Sequence, residues 1–277
     1  MIQIKDLVFS YDGQKNVLNN ISLNIKKGER IALLGVNGSG KTTLAKNINR
    51  LLVPSGGYVM IDGENTKNHS IAEISRLVGY VFQNPNDQIF KATVWLEIAY
   101  ALERQGLPRV EIDLHVSEAM KMSGLTGLED VNPYDLPLSK RRFVTIASIL
   151  AINPKVYIFD EPTAGQDIEE WKILLNILDI LYKKGKTTIT ITHDMDFAAQ
   201  FFQRLILMKD GEIIKTGSPK EIFCDESLLE AAGIKAPFVT RLLNKIAPEA
   251  EEYTIEGAAE FLRNHMRRKL HEKNYIC

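Results

Sequence analysis

Gly35-Val36-Asn37-Gly38-Ser39-Gly40-Lys41-Thr42 decides how this chain is read. The spacing, a glycine, four residues and then Gly-Lys-Thr, is that of a loop that wraps a polyphosphate, and its surroundings fit that reading. A short apolar run, Arg30–Leu34, precedes it as a strand. Residues 41–52 follow it with Leu44, Ile48 and Leu51 on one helical face. Glycines let backbone N–H groups converge on phosphate oxygens, and the helix start adds positive potential. Lys41 can reach the β and γ phosphates of ATP, and the Thr42 hydroxyl can ligate Mg2+. Together with Thr43, these eight residues are the expected nucleotide contacts.

Outward from the loop, apolar runs at residues 2–9, 21–25, 78–82, 156–159, 188–192 and 204–208 read as further strands. They alternate with helical patterns such as residues 168–183, where Ile168, Trp171, Leu175 and Leu178 share a face and Gly185 follows. Such alternation predicts an α/β fold with a parallel sheet covered by helices. Between about residues 84 and 153 the pattern changes to consecutive helices. Ile112, Val116 and Met120 mark one, and Phe143, Ile146, Ala147 and Leu150 mark another that stops at Asn153-Pro154. Beyond about Gly217 the strands end, and helical patterns continue around Leu228 and over residues 255–270. The expected division is a domain over residues 1–217, with a helical insertion at about 84–153, and an extension over residues 218–277.

A second chemical centre is carried by the run Val156-Tyr157-Ile158-Phe159, which delivers Asp160 and Glu161 to the end of a buried strand. Ligands bind at that edge of an open α/β sheet. Asp160 suits the Mg2+ side, directly or through water. Glu161 is placed to polarise the attacking water, because in-line phosphoryl transfer needs positioning more than covalent chemistry.

These residues, with DEPTAGQD at 160–167, Gln83 after one strand and His193 after another, fall in the order shown by ATP-binding-cassette ATPases, which the chain resembles over about residues 1–217. The resemblance implies a P-loop NTPase core with a mostly parallel sheet, an antiparallel N-terminal β subdomain, a helical insertion subdomain and a C-terminal helical extension. It also implies that Tyr11 stacks on adenine and that Gln83 links the Mg2+ site to the transport partner. Asp167 would belong to a dimer-contacting loop, and His193 would contact the γ-phosphate. Lys41, Gln83, Glu161 and His193 are thus the expected catalytic set, with Thr42, Gln83 and Asp160 at the metal. QNPNDQIF at 83–90 and GSPKEIF at 217–223 are similar to the ATPases of energy-coupling-factor importers. Those take up vitamins or transition-metal ions.

The chain departs from that family at the signature, LSGGQ. Counting back from the Asp160 strand puts Leu136-Pro137-Leu138-Ser139-Lys140 in its place. Pro137 fills the serine slot, Leu138 and Ser139 the two glycine slots, and Lys140 the glutamine slot, which works against close backbone approach to a phosphate. Ser139 capping the following helix is the alternative reading of this stretch. Lys140, Arg141 and Arg142 crowd the positive end of that helix, where a partner's nucleotide could be the compensating anion. In the family dimer each ATP lies between one subunit's phosphate loop and the other's signature. A homodimer of this chain would therefore have two impaired sites, and a heterodimer with a paralogue only one.

The chain has 277 residues, a net charge of −1 and ordinary apolar and charged fractions, so a buried core is expected without cross-links. Cys224 and Cys277 suggest neither a disulfide framework nor metal-ligand spacing. No run reaches the roughly 18 apolar residues of a membrane span, and the first residues lack a signal-peptide pattern. Membrane association is expected only through partners, a transmembrane coupling subunit and a substrate-binding membrane subunit. Arg263, Arg267, Arg268, Lys269 and Lys273 make the tail locally basic, read as a solvated helix face. Nucleic acid is not an expected partner, since the net charge gives no attraction for it. A soluble nucleic-acid-associated switch and a binding-only regulatory subunit remain the competing readings to a transport motor.

Overall fold

The computed structural model describes residues 1–247 and 250–274, with side chains through 265. Cys277 and the side chains of Arg267, Arg268, Lys269 and Lys273 lie outside the described residues. The strands are β1 (Ile2–Ser10), β2 (Asn16–Ile25), β3 (Arg30–Leu34), β4 (Gly56–Ile61), β5 (Glu64–Asn65), β6 (Val78–Val81), β7 (Val156–Asp160), β8 (Thr187–Ile191), β9 (Arg204–Lys209) and β10 (Glu212–Gly217). The helices are α1 (Lys41–Ile48), α2 (Ile71–Leu77), α3 (Val94–Arg104), α4 (Arg109–Met122), α5 (Leu138–Ile152), α6 (Ile168–Lys183), α7 (Met195–Phe201), α8 (Pro219–Phe223), α9 (Glu226–Ala232), α10 (Phe238–Ile246) and α11 (Ile255–Asn274).

One sheet is antiparallel, in the order β2-β1-β4-β5, and the other runs β10-β9-β3-β8-β7-β6. In the second sheet all neighbours are parallel except the edge pair β9 and β10. The period-2 alternation of β3 explains why a wholly apolar run sits at its centre. Ile31 and Leu33 face a core shared with α1 and the antiparallel sheet, while Ala32 and Leu34 face the core built by helices α3 to α7. Helices α3, α4 and α5 all lie between β6 and β7 in the chain, and among the described residues the elements after β10 are helices.

Strand order places the chemistry. Neighbours β3, β8 and β7 are parallel, with Leu33 opposite Ile191 and Ile191 opposite Asp160. The phosphate loop after β3, Glu161 after β7 and His193 after β8 therefore leave the sheet at one edge, the edge where open α/β sheets bind ligands.

Several local expectations are corrected. Helix α1 stops at Ile48, and Arg50 takes a left-handed φ of 63°, so Leu51 lies beyond the helix and is exposed. Ile168 opens α6 but is 75% exposed, and the buried stripe is Leu174, Ile177, Leu178 and Leu181. Strands β4, β5 and β10 were not among the expected runs. β10 buries none of its residues fully, which leaves no hydrophobic period to read.

Candidate functional site

Gly35 ends buried against β9: a Cβ there would overlap the carbonyl oxygen of Met208, so only glycine lets the chain turn into the loop. At the other end Gly40 takes φ 99° as the residue before α1, and a Cβ would sit 2.9 Å from Leu18 Cδ2. Between them Val36, Asn37 and Gly38 are exposed, Ser39 is buried, and the Ser39 N–H donates to Val36 O at 3.2 Å. The Lys41 ammonium folds back into this arch, donating to Gly35 O and Val36 O at 2.9 Å each. Burial pushes its pKa down from the ordinary lysine value, against the opposing pull of Glu161 and Asp160. A cation is thus held on two backbone carbonyls, where a phosphate oxygen would be a better acceptor.

Beside the arch, Thr42 Oγ1 donates to Asp160 Oδ2 at 3.0 Å, and the Tyr80 hydroxyl donates to the same oxygen at 2.7 Å. The Tyr80 phenol is held well above its ordinary pKa, first by burial and then by the Asp160 carboxylate, and so stays a donor. Glu161 begins the next loop with φ 49°, an uncommon conformation for a side-chain-bearing residue. Its N–H is tied to Ile191 O at 2.9 Å, and its Oε2 lies 2.8 Å from His193 Nδ1. The Glu161 side chain is buried, while His193 stays largely open to solvent. A cleft of about 330 Å3 runs over these groups, lined by Val17, Asn37, Gly38, Gly40, Lys41, Thr42, Thr43, Gln83, Asp160, Glu161 and Ile191. At its rim the exposed Tyr11 ring is braced edge-on by Phe9 at 4.9 Å, with its hydroxyl 3.2 Å from Thr43 Oγ1.

The ABC transporter family model matches residues 18–164, which span the phosphate loop and the Asp160–Glu161 strand end. The chain belongs to the ABC transporter family. An energy-coupling factor transporter ATP-binding protein, EcfA of Methanocaldococcus jannaschii, is 40% identical over 88% of this chain and 88% of its own length. A Caldanaerobacter subterraneus ABC transporter ATP-binding chain is 42% identical over 89% of this chain, which spans only 43% of that longer protein. Among solved structures, cbiO1 from Clostridium perfringens, part of the ABC transporter complex cbiONQ, superposes with a TM-score of 0.75 at 33% identity. That match covers 90% of this chain and 96% of cbiO1. The ATP-binding cassette MJ0796, solved as a dimer bound to ADP and Pi, gives 0.73 at 30% identity over 79% of this chain and 99% of its own. The chain is thus an ABC ATPase subunit related to EcfA and cbiO1, of a family that binds and hydrolyses ATP.

In this ABC ATPase the signature stretch folds in a way the sequence did not indicate. Helix α5 starts at Leu138, and its preceding residue is Pro137, whose side chain offers no acceptor. Ser139 is the second helical residue and does not cap the helix, which overturns the capping alternative. Leu136 and Lys140 are half-buried and Leu138 is exposed. Of the three neighbouring cations, Arg141 is spent on Leu136 O at 2.9 Å, Asn86 Oδ1 at 3.1 Å and Tyr134 O. Arg142 donates to Gln83 O at 3.2 Å and to Ala164 O. Only Lys140 is left without an ion pair or hydrogen bond among the described residues.

Gln83 is exposed at the cleft wall, and its backbone rather than its side chain is the fixed part. Asp167 caps α6, accepting from the Glu170 N–H at 2.8 Å in a reciprocal capping box. Sequence reasoning missed Tyr80, and it gave Arg142 an outside anion where the structure gives it the carbonyls of Gln83 and Ala164. A lone hydroxyl in an otherwise apolar strand was the available signal for Tyr80, but its target shows only when β6 pairs with β7. Tyr80→Phe is expected to lower stability by about 2 kcal/mol, because a buried carboxylate loses one of two donors. Denaturant midpoints measure it, and an unchanged midpoint would show the hydroxyl to be spare.

Proposed function

We propose that this chain is the ATP-hydrolysing motor subunit of an energy-coupling-factor type importer, working as one arm of a heterodimer. The carrying observation is an asymmetry within one molecule. Lys41, Thr42, Asp160 and Glu161 line one cleft, with His193 Nδ1 2.8 Å from Glu161 Oε2, while the signature stretch keeps neither glycine. Tyr11 at the rim receives the adenine. The arch of Gly35 to Thr43 takes the triphosphate, with Lys41 moving from its carbonyls to the β and γ phosphates. His193 holds Glu161 through Nδ1, which leaves Nε2 for the γ-phosphate. Glu161 orients the attacking water in line with the scissile bond.

Thr42, Asp160 and Gln83 fit Mg2+, since they are hard oxygen donors and the Thr42 and Asp160 oxygens already lie 3.0 Å apart. When bound, the ion neutralises charge on the β and γ phosphate oxygens.

Residues 1–217 form the ATPase domain in this reading, with the insertion presenting the signature, and residues 218–277 the extension. ATP closes the dimer, hydrolysis reopens it, and the groove near Gln83 passes the motion to a transmembrane coupling subunit. A separate substrate-binding membrane subunit selects the vitamin or transition-metal ion. The relationship to EcfA and to a member of the cbiONQ complex supports this assignment. In this reading the chain is a peripheral subunit held at the cytoplasmic face by its membrane partners; no described helix is long and apolar enough to cross a membrane.

In the heterodimer this phosphate loop pairs with an intact signature from a paralogue. ATP turnover of the purified chain alone, and mixed with paralogues encoded nearby, tests it. The expected result is at least about tenfold higher turnover in one mixture, the scale of losing one preorganised donor set. Equal turnover alone and mixed would remove the heterodimer.

A further inference from the structure

Arg142 is the fifth residue of α5, and it is 5% exposed. Burying a cation is unfavourable unless it is paired; among the described residues Arg142 has no carboxylate at ion-pair distance, and only the charges of Glu161 and Glu170 oppose the burial that pushes its pKa down. Its hydrogen-bond partners are two main-chain carbonyls, those of Gln83 and Ala164, which follow the ends of the paired strands β6 and β7. Its Nε is buried and has no partner. A neutral side chain could fill this place at lower cost, so the guanidinium calls for a reason.

The loop it touches supplies one. Residues 161–167 carry two internal backbone hydrogen bonds, Ala164 N–H to Glu161 O and Gln166 N–H to Thr163 O, both long at 3.4 Å. The Gln166 side-chain amide is partly buried and unpartnered at both ends. Glu161, at the start of the loop, is in the left-handed region, a conformation that persists only where the surroundings hold it. The loop does little to hold itself, and Arg142 grips its middle from outside.

We propose that Arg142 is a positioning residue for ATP hydrolysis: its planar guanidinium ties the carbonyls of Gln83 and Ala164 to α5 and so fixes Glu161 at the phosphate end of the cleft. A guanidinium serves two acceptors at once in a fixed fork, which a lysine ammonium on a flexible stem does not. Because α5 opens directly after Pro137, movement of the signature stretch reaches the Ala164 loop through Arg142, and the loop after β6 through Arg142 at Gln83 and Arg141 at Asn86. The inference rests on Glu161 being the group that orients water, as proposed above.

Arg142→Ala and Arg142→Lys in the full chain test it by hydrogen exchange and by steady-state turnover. In the alanine variant, exchange over residues 162–167 should rise about tenfold or more while β3 and β8 stay protected. The kcat should fall about thirtyfold or more, with KM for ATP within about threefold, the pattern of a misplaced group rather than lost binding. Arg142→Lys should recover part of both. Unchanged exchange over 162–167 overturns the tether. Faster exchange there with unaltered kcat overturns the positioning role, as does a loss of kcat that comes with equal loss of protection in β3 and β8. If the alanine variant does not fold, the lysine variant decides by the same two readings. Should Glu161→Gln leave turnover intact, the assignment of Glu161 fails, while the exchange result still judges the tether.

Discussion

Lys41→Ala is expected to weaken Mg·ATP binding by about a hundredfold or more and to leave no measurable turnover. Its ammonium is stored in the arch on Gly35 O and Val36 O at 2.9 Å, within reach of the place a triphosphate would fill. Charge-assisted hydrogen bonds contribute about 1.5–3 kcal/mol each, so losing two to phosphate oxygens costs about two to four powers of ten in affinity. The fold should survive, because burial lowers the pKa of this ammonium, meaning that the folded state disfavours its charged form and alanine removes that penalty. Calorimetric titration with Mg·ATP, with a thermal melt as control, reads the effect. Wild-type affinity in a folded Lys41→Ala protein would end the reading of residues 35–43 as a nucleotide site.

Glu161→Gln should separate binding from chemistry. Glutamine matches the carboxylate in size and can still accept from His193, whose Nδ1 lies 2.8 Å from Oε2. What it lacks is the negative charge that polarises a water. Turnover should fall at least about tenfold, and general-base losses extend to roughly 10²–10⁴-fold. ATP affinity should hold or rise, since one negative charge leaves the neighbourhood of the γ-phosphate. Single-turnover hydrolysis and nucleotide titration on the same preparation distinguish the two effects. Unchanged hydrolysis would take Glu161 out of the mechanism, and lost binding would make it a structural residue of the cleft.

Most of the candidate site was legible because it is encoded in contiguous stretches. Gly35 to Thr42 is one, and the four apolar residues before Asp160 are another. Each brings its own strand, and a parallel sheet brings the ends of its strands together at one edge whatever lies between them in the chain. The bounds of α6 were legible too, through the apolar period over residues 168–183 and Gly185 after it, whereas the Asp167 cap shows only in the structure. Its inward face was not. Ile168 fits the helical period, yet at the first turn it lies beyond the reach of the core.

By itself the sequence determined the glycine-rich loop before α1, the paired carboxylates after β7, the α/β class and the missing glycines at residues 136–140, because each depends on residue type at short spacing. Only the tertiary structure decided who holds the signature helix and the Glu161 loop. Arg141 and Arg142 looked like cations awaiting an outside anion, and they donate instead to the carbonyls of Leu136, Tyr134, Gln83 and Ala164 and to Asn86 Oδ1. Tyr80 reaches Asp160 across a strand pair whose members lie 80 positions apart. Carbonyl and carboxylate acceptors leave no pattern in the residues that donate to them, so long-range hydrogen bonds of this kind appear only when the chain is folded.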